Sequence, residues 1–337
     1  MTTTAAPQTS KHWPTSLYRR PDGVLEQDLS PSRIREIVEL GEGELWVDID
    51  SIDFHQHALL EKVFGFHPLA IEDTLSPGSR VKLEEYDRYI LVVVSGIRFD
   101  RATPDPFDLE TFKLYFFLGK NFLVTVHAVA SPSCDSTRDR LMRNPDLLGR
   151  GAEMTMHAII DQSVDAYFPI VEQLNDLVDS LEEKLFESFD ERLIHEIFKA
   201  KRSAFSFRRH IGPLREVLNV LTNRPSVYIR SETQLYYRDV YDHTIRIMES
   251  VDTTRDLLAG VLETYLSQTS NRMNKVMKQL SIVATLALPL IVVGGIFGMN
   301  FSQMPLTHHP LGFYWAVGSM AAVSAVLVWW LRNNRWL

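Results

Sequence analysis

Residues 279–331 contain no Asp, Glu, Lys or Arg, although these four residue types make up 23% of the 337-residue chain. No other stretch limits the fold as strongly. Within it, residues 280–297 form an 18-residue apolar run whose hydroxyl-bearing members are Ser281 and Thr285, and residues 313–331 form a second run of 19. At about 1.5 Å per residue, either run as a helix comes close to crossing a hydrocarbon core about 30 Å thick. Arg272, Lys275 and Lys278 precede the first run, and Arg332 and Arg335 follow the second. By the flanking-charge rule both ends belong in the cytoplasm and the loop between them outside. Tyr314, Trp315, Trp329 and Trp330 stand where interfacial aromatic belts are expected. The competing reading, a buried soluble helical hairpin, fits these uncharged, base-flanked runs poorly.

Outside that stretch the chain has the composition of a folded protein. A net charge of -8 weighs against nucleic acid as a partner and permits attraction of cations, although a generic acidic surface gives the same value. The single cysteine, Cys134, excludes an intrachain disulfide framework and a cysteine-based zinc site, and suits a reducing cytosolic location. Residues 1–10 lack the apolar centre of a secretory signal, so insertion is expected to be directed by the C-terminal runs.

Along the chain, residues 1–30 read as a flexible extension interrupted by Pro7, Pro14, Pro21 and Pro31. Strand patterns at 44–50, 89–99, 111–118 and 121–127, with a hairpin at Gly119-Lys120, alternate with helical patterns at 54–64 and 67–75. Residues 31–145 are therefore expected to form an α/β domain. A helical hairpin is expected over 146–230, with Val171, Leu174, Leu177, Leu181 and Leu185 as its apolar stripe. Glu182, Glu183, Glu187, Asp190 and Glu191 crowd its tip, which reads as a solvated helix end, with cation recruitment as the alternative. A stalk helix follows over 231–279 and continues into a first span over 280–300. An external loop (301–312), a second span (313–331) and a basic cytoplasmic tail (332–337) complete an α+β membrane protein.

Two helices do not enclose an aqueous path, so transport requires several copies around an axis. Stepping by alternate fours and threes along the long helix gives Glu249, Thr253, Asp256, Gly260, Glu263, Ser267, Ser270, Asn274, Met277, Ser281, Ala284, Leu288, Ile291, Gly295 and Gly298. This supercoil-type stripe is acidic or polar before the membrane and small or apolar within it. Acids in a bundle core repel one another unless hydrated cations occupy the axis; a solvent-facing helix side fits the periodicity equally well. Met277, Leu288 and Ile291 would form apolar rings able to block ions by dewetting, or would face lipid. Gly294 and Gly298 are spaced as a small-residue pair that lets backbones approach.

The segment Gly298-Met299-Asn300-Phe301, then Met304-Pro305, resembles the CorA family of magnesium transporters, as do residues 236–244, residues 213–218 and the closing Trp336-Leu337. The likeness runs from about His67 onward. It implies a funnel-shaped homopentamer with a cytoplasmic α/β domain, a pore-lining long helix and Mg2+ as cargo. Gly298, Met299 and Asn300 would form the selectivity filter. Asn274, Met277, Leu280, Ser281, Ala284, Leu288, Ile291 and Gly295 would line and gate the pore. Mg2+ holds its octahedral water shell tightly, and neutral amide oxygens such as that of Asn300 can hydrogen-bond the shell without trapping the ion. A regulatory Mg2+ would bridge Asp73 and the Asp239 of a neighbouring subunit, with Glu72, Asp161 and His243 as a second metal site. Metal binding there would favour the closed assembly.

After Met304-Pro305 the loop carries Leu306-Thr307-His308-His309 and no acid. The histidines, if they are ligands rather than plain exposed residues, favour softer ions such as Zn2+, Co2+ or Ni2+. Three readings therefore stand: Mg2+ influx extending to Co2+ and Ni2+; a zinc transporter similar to ZntB, with or without proton coupling; and a non-conducting, membrane-anchored metal sensor. The sequence holds no phosphate-binding Gly-rich loop, His-Glu-x-x-His or nucleophile motif, so an enzyme is not expected. The expected partners are the bilayer of the inner (plasma) membrane, further copies of the chain and divalent cations.

Overall fold

The structure is a computed structural model describing residues 14–49, 54–76, 78–99, 109–187, 190, 192–299, 309–334 and 336. Strand β1 (Thr15–Arg19) pairs antiparallel with β2 (Leu25–Gln27). The expectation of a flexible extension through residue 30 is therefore corrected over these strands, while residues 1–13 lie outside the described ones. The prolines bound elements here rather than prevent them. Pro14 precedes β1 and Pro21 lies in the turn after it. Pro31 opens α1 (Pro31–Leu40), where its missing N–H has no helical partner to lose, and Ser30 caps the helix by accepting from the Arg33 N–H. Burial supplies the other half of the reason, since Leu17 and Tyr18 reach the core.

The chain continues through β3 (Glu44–Ile49), α2 (Phe54–Lys62), α3 (Pro68–Leu75), β4 (Lys82–Tyr86), β5 (Tyr89–Phe99), β6 (Leu109–Leu118) and β7 (Phe122–Val126). They build a seven-stranded sheet in the order β2-β1-β3-β7-β6-β5-β4. Only β3 and β7 run parallel; the other neighbours are antiparallel. The expected hairpin is present between β6 and β7, closed by the Gly119 N–H donating to the Phe122 carbonyl at 2.9 Å. A Cβ on Gly119 would fall 2.2 Å from the Phe122 ring, so the turn needs glycine. Strand β4, Lys-Leu-Glu-Glu-Tyr, has too little apolar alternation to be read from sequence.

Ile34, Ile37, Leu60, Phe66 and Ala70 from the first three helices and their loops pack on Leu45, Val47, Leu91, Val93, Phe117 and Val124. After α4 (Pro132–Arg143) and a 3-10 turn (Pro145–Arg150), α5 (Ala152–Asp165) contacts β3, β5, β6 and β7. With both faces covered, the central strands are nearly continuous apolar runs. Sheet edges are treated differently: β2 has three residues, while the β4 edge is charged and partly covered by Tyr228, whose hydroxyl donates to the Asp87 carbonyl at 3.0 Å.

Helices α6 (Phe168–Glu187) and α7 (Arg192–Asn223) make the helical hairpin, so α5 belongs with the sheet rather than with the hairpin. Val171, Leu174, Leu181 and Leu185 are buried as expected, with Val178 completing the stripe and Leu177 at its margin. Of the acidic tip, Asp190 is exposed, Glu191 lies outside the described residues, and no described metal cluster forms there.

Helix α8 (Ser231–Phe297) runs 67 residues without interruption, Pro289 included, and α9 (Gly312–Asn333) follows. Two compact units meet within α8, residues 1–260 and 261–337. In the first, Tyr237, Val240, Thr244, Ile247, Val251, Thr254 and Leu258 are buried at helical spacing. In the second, every residue from 270 to 281 is exposed. Both α8 and α9 are long and apolar enough to cross a membrane.

Candidate metal sites and ion pathway

Asp73 owes its position to the short helix α3. His67 caps that helix, its Nδ1 accepting from the Leu69 N–H at 3.2 Å, and its own N–H donates to the Tyr89 hydroxyl at 3.0 Å. Ala70, Ile71 and Thr74 are buried, which turns Glu72 and Asp73 outward. Asp73 is not bare. Lys82 Nζ lies 2.7 Å from Asp73 Oδ2 and 2.7 Å from Glu84 Oε1. Burial works against the Lys82 charge, but hydrogen bonds to Asp73 and Glu84 outweigh it and raise the Lys82 pKa. The Tyr86 hydroxyl donates to Glu84 at 3.0 Å; burial first, then Glu84, push its pKa up to about 12. A divalent ion at Asp73 would take the place of an ammonium that has a second carboxylate ready to receive it.

The second group joins α5 to α8. Asp161, Asp165 and His243 bring one donor atom each within 4.8 Å of one another. His243 Nε2 is 3.7 Å from Asp239 Oδ2, and its Nδ1 is 3.5 Å from Asp165 Oδ1. That Nδ1 is buried and makes no hydrogen bond. A buried imidazole nitrogen without a hydrogen bond, facing carboxylates, fits a metal ligand. Burial raises the Asp161 pKa, assisted by Asp165 and Asp239, while His157 and His243 oppose the rise. Burial lowers the His157 pKa against the pull of Asp161 and Asp239. Of the expected second site, Asp161 and His243 come together within one chain and Glu72 does not join them. Asp165 does, and its spacing of four from Asp161 was the sequence signal for it.

A third group is structural. Asp48, on β3, accepts from Thr125 and lies 3.1 Å from His127 Nε2, with Arg138 bound to its other oxygen. Burial alone would raise the Asp48 pKa; the hydrogen bonds and charges of His127, Thr125 and Arg138 outweigh it and hold it below the usual carboxylate range. Cys134 is nearby, but the guanidinium already supplies the counter-charge a cation would bring.

On α8, every described stripe residue is exposed, from Glu249 through Asp256, Glu263, Asn274, Met277, Ser281, Ala284, Leu288, Ile291 and Gly295 to Gly298. Leu280 is also exposed, as is Met299, two residues beyond the end of α8. Within the first unit the opposite face of α8 is buried, so there the stripe is a separate face and not merely part of a bare rod. Asn300 and His308 lie outside the described residues; His309 is exposed and its Nδ1 accepts from the Leu311 N–H at 3.2 Å.

A mixed sheet, a set of long helices and two C-terminal spans define a membrane protein with a large non-membrane domain. The family described as CorA-like Mg2+ transporter protein matches residues 41–333, and the chain belongs to that family. It is 34% identical over 296 residues to the cobalt/magnesium transport protein CorA of Thermotoga maritima, covering 87% of this chain and 83% of the relative. Its fold matches the complete structure of the CorA magnesium transporter from Methanocaldococcus jannaschii, with a TM-score of 0.82, 21% identity and coverage of 98% and 100%. The ZntB cytoplasmic domain from Vibrio parahaemolyticus also matches, at a TM-score of 0.59 and 15% identity over 77% of this chain and 98% of that one.

Proposed function

We propose that the chain is a divalent-cation channel that admits Mg2+, and with it Co2+, to the cytoplasm as a homopentamer whose α8 helices line the pore. The observation that carries this reading is the continuous exposed stripe on α8 in a chain of the CorA-like family. Acids at Glu249, Asp256 and Glu263 would collect hydrated cations. The small and apolar positions Ser281, Ala284, Leu288, Ile291 and Gly295 would form the narrow passage, and Asn300 its outer ring. Both termini would be cytoplasmic, in the inner membrane. The family's members are transporters, and transport needs no catalytic residue.

Regulation follows from the two carboxylate groups. Mg2+ entering between Asp73 and the Asp239 of a neighbouring subunit would displace Lys82 onto Glu84 and favour the closed pentamer. The Asp161, Asp165 and His243 donors suit Co2+ or Zn2+ better than Mg2+, because imidazole prefers the softer ions. This favours Zn2+ as a second candidate cargo or effector.

The test is uptake of Mg2+, Co2+ and Zn2+ into proteoliposomes under a negative internal potential, comparing wild type with Asn300→Ala. Uptake by the wild type that the substitution abolishes is the expected result. Correctly inserted protein that passes no ion, even with internal Mg2+ chelated, would sink the channel reading in favour of a sensor.

A further inference from the structure

A cavity of about 1110 Å3 lies between the sheet and α7, lined among others by Arg80, Lys113, Arg202, Phe205, Arg209 and His210. No Asp or Glu lines it among the described residues. Arg80, Arg202 and Arg209 form no ion pair among the described residues. Lys113, on β6, is half-buried and its Nζ donates to the Ser95 hydroxyl at 2.6 Å. Burial lowers its pKa, and among the described residues no carboxylate pairs with it. Arg202, Phe205 and Arg209 fall at helical spacings of three and four residues, which sets them on one side of α7. Phe205 is 62% exposed, a large ring held at the surface of a cationic cleft.

In a protein of net charge -8, four bases lining one cavity that has no acid among its described residues focus a positive field on it. Guanidinium groups suit phosphate by geometry and ammonium by charge. The volume of about 1110 Å3 is slightly above the roughly 300–1,000 Å3 typical of small-ligand sites, room enough for a large polar ligand. We propose that this cavity binds a polyphosphate anion of the nucleoside triphosphate class, its phosphates among Arg80, Lys113, Arg202 and Arg209 and its base against Phe205. Ser76 borders both this cavity and the pocket that holds Asp73 and Lys82, so the anion sits beside the proposed metal sensor.

The experiment is equilibrium dialysis of labelled ATP against the full-length protein in detergent micelles, with EDTA present so that no divalent ion bridges the two. Wild type is compared with the double variant Arg202→Ala/Arg209→Ala. A charge-matched control is Arg143→Ala/Arg246→Ala, at exposed arginines outside the cavity. Saturable binding of one ATP per chain is expected, weakened about tenfold or more in the cavity variant and held in the control. Phe205→Ala should weaken ATP while leaving tripolyphosphate unchanged. Absence of saturable binding to the wild type, or equal weakening in both double variants, overturns the site. Tripolyphosphate bound as tightly as ATP overturns the nucleoside assignment. Near-ultraviolet circular dichroism of each variant shows that a loss belongs to the cavity and not to unfolding.

Discussion

The sheet and the helices on it satisfy themselves, whereas the far part of α8 and most of α9 do not, Gly312, Ala316 and Leu331 being the buried residues of α9. In the first region Leu45, Val47, Leu91, Phe117 and Val124 are wholly buried within one chain. In the second, Leu280, Leu288, Ile291, Val326 and Trp329 are each at least 60% exposed, and no residue in the most apolar window of α8 is buried. The two regions use the same apolar residues under opposite solvent conditions. A water-soluble core must cover its side chains with its own chain; a span leaves that to lipid and to further copies. The uncovered region is therefore the one whose behaviour would depend on lipid and on the proposed assembly.

The hardest way to break this contrast is a charge on the stripe. In Ala284→Lys, each copy would place an ammonium in the passage, at a cost of about 2.5–3.5 kcal/mol at the centre of a span. Ion uptake is expected to fall roughly a hundredfold or more, with the unfolding of the sheet domain unmoved. Uptake that survives would take Ala284 off the pore. The mirror-image change, Phe117→Ala, removes a ring with no exposed surface and should cost about 3–5 kcal/mol in denaturant unfolding. Ile291→Ala, read in the same way, should cost that domain nothing.

Within the covered region, Glu44 shows the strain of burial. Burial raises its pKa from 4.5 to about 7, with Glu153 adding to the rise and the Ala152 N–H and Arg230 opposing it. The folded state then holds a proton that the unfolded state has lost. Stability therefore falls as pH rises from 4.5 to about 7 and levels off beyond. Glu44→Gln keeps an acceptor for the Ala152 N–H, bonded at 2.9 Å, and removes the charge. Its melting temperature should match the wild type near pH 4.5 and exceed it above pH 7, a gain on the order of 2–3 kcal/mol. A gap independent of pH would show that Glu44 does not titrate in this window.

The smallest effect expected is at Lys82, where the covered region meets its proposed effector. A partly exposed ion pair is worth about 0.2–1 kcal/mol. Lys82→Ala should thus lower the Mg2+ concentration that half-inhibits uptake by about two- to fivefold. Any rise would mean that Lys82 assists the ion instead of competing with it.

Much of this was legible because the periodicities are strong. The hairpin at Gly119-Lys120, the helices on either side of His67 and the apolar stripe of α6 stand where their patterns put them. Strands β1 and β2 were obscured by prolines that bound elements instead of breaking them, and β4 by its charges, of which Lys82 serves Asp73 of α3. Side chains in the second metal group were half legible: Asp161 and Asp165 share a helix face, but the closeness of His243 depends on how α5 and α8 pack. The partnership of Lys82 with Asp73 has no local signature, since nine positions and a turn separate them.

The sheet edges bear on how such a chain is made. Translation at about 5–20 residues per second needs roughly 4–15 s to add residues 261–337. During that time residues 1–260 can begin to fold beside sister chains on the same message. A long apolar edge would let neighbouring nascent sheets zip together. A three-residue β2 and a charged β4 flanked by Tyr228 leave little to zip, so sister domains emerging side by side can remain separate.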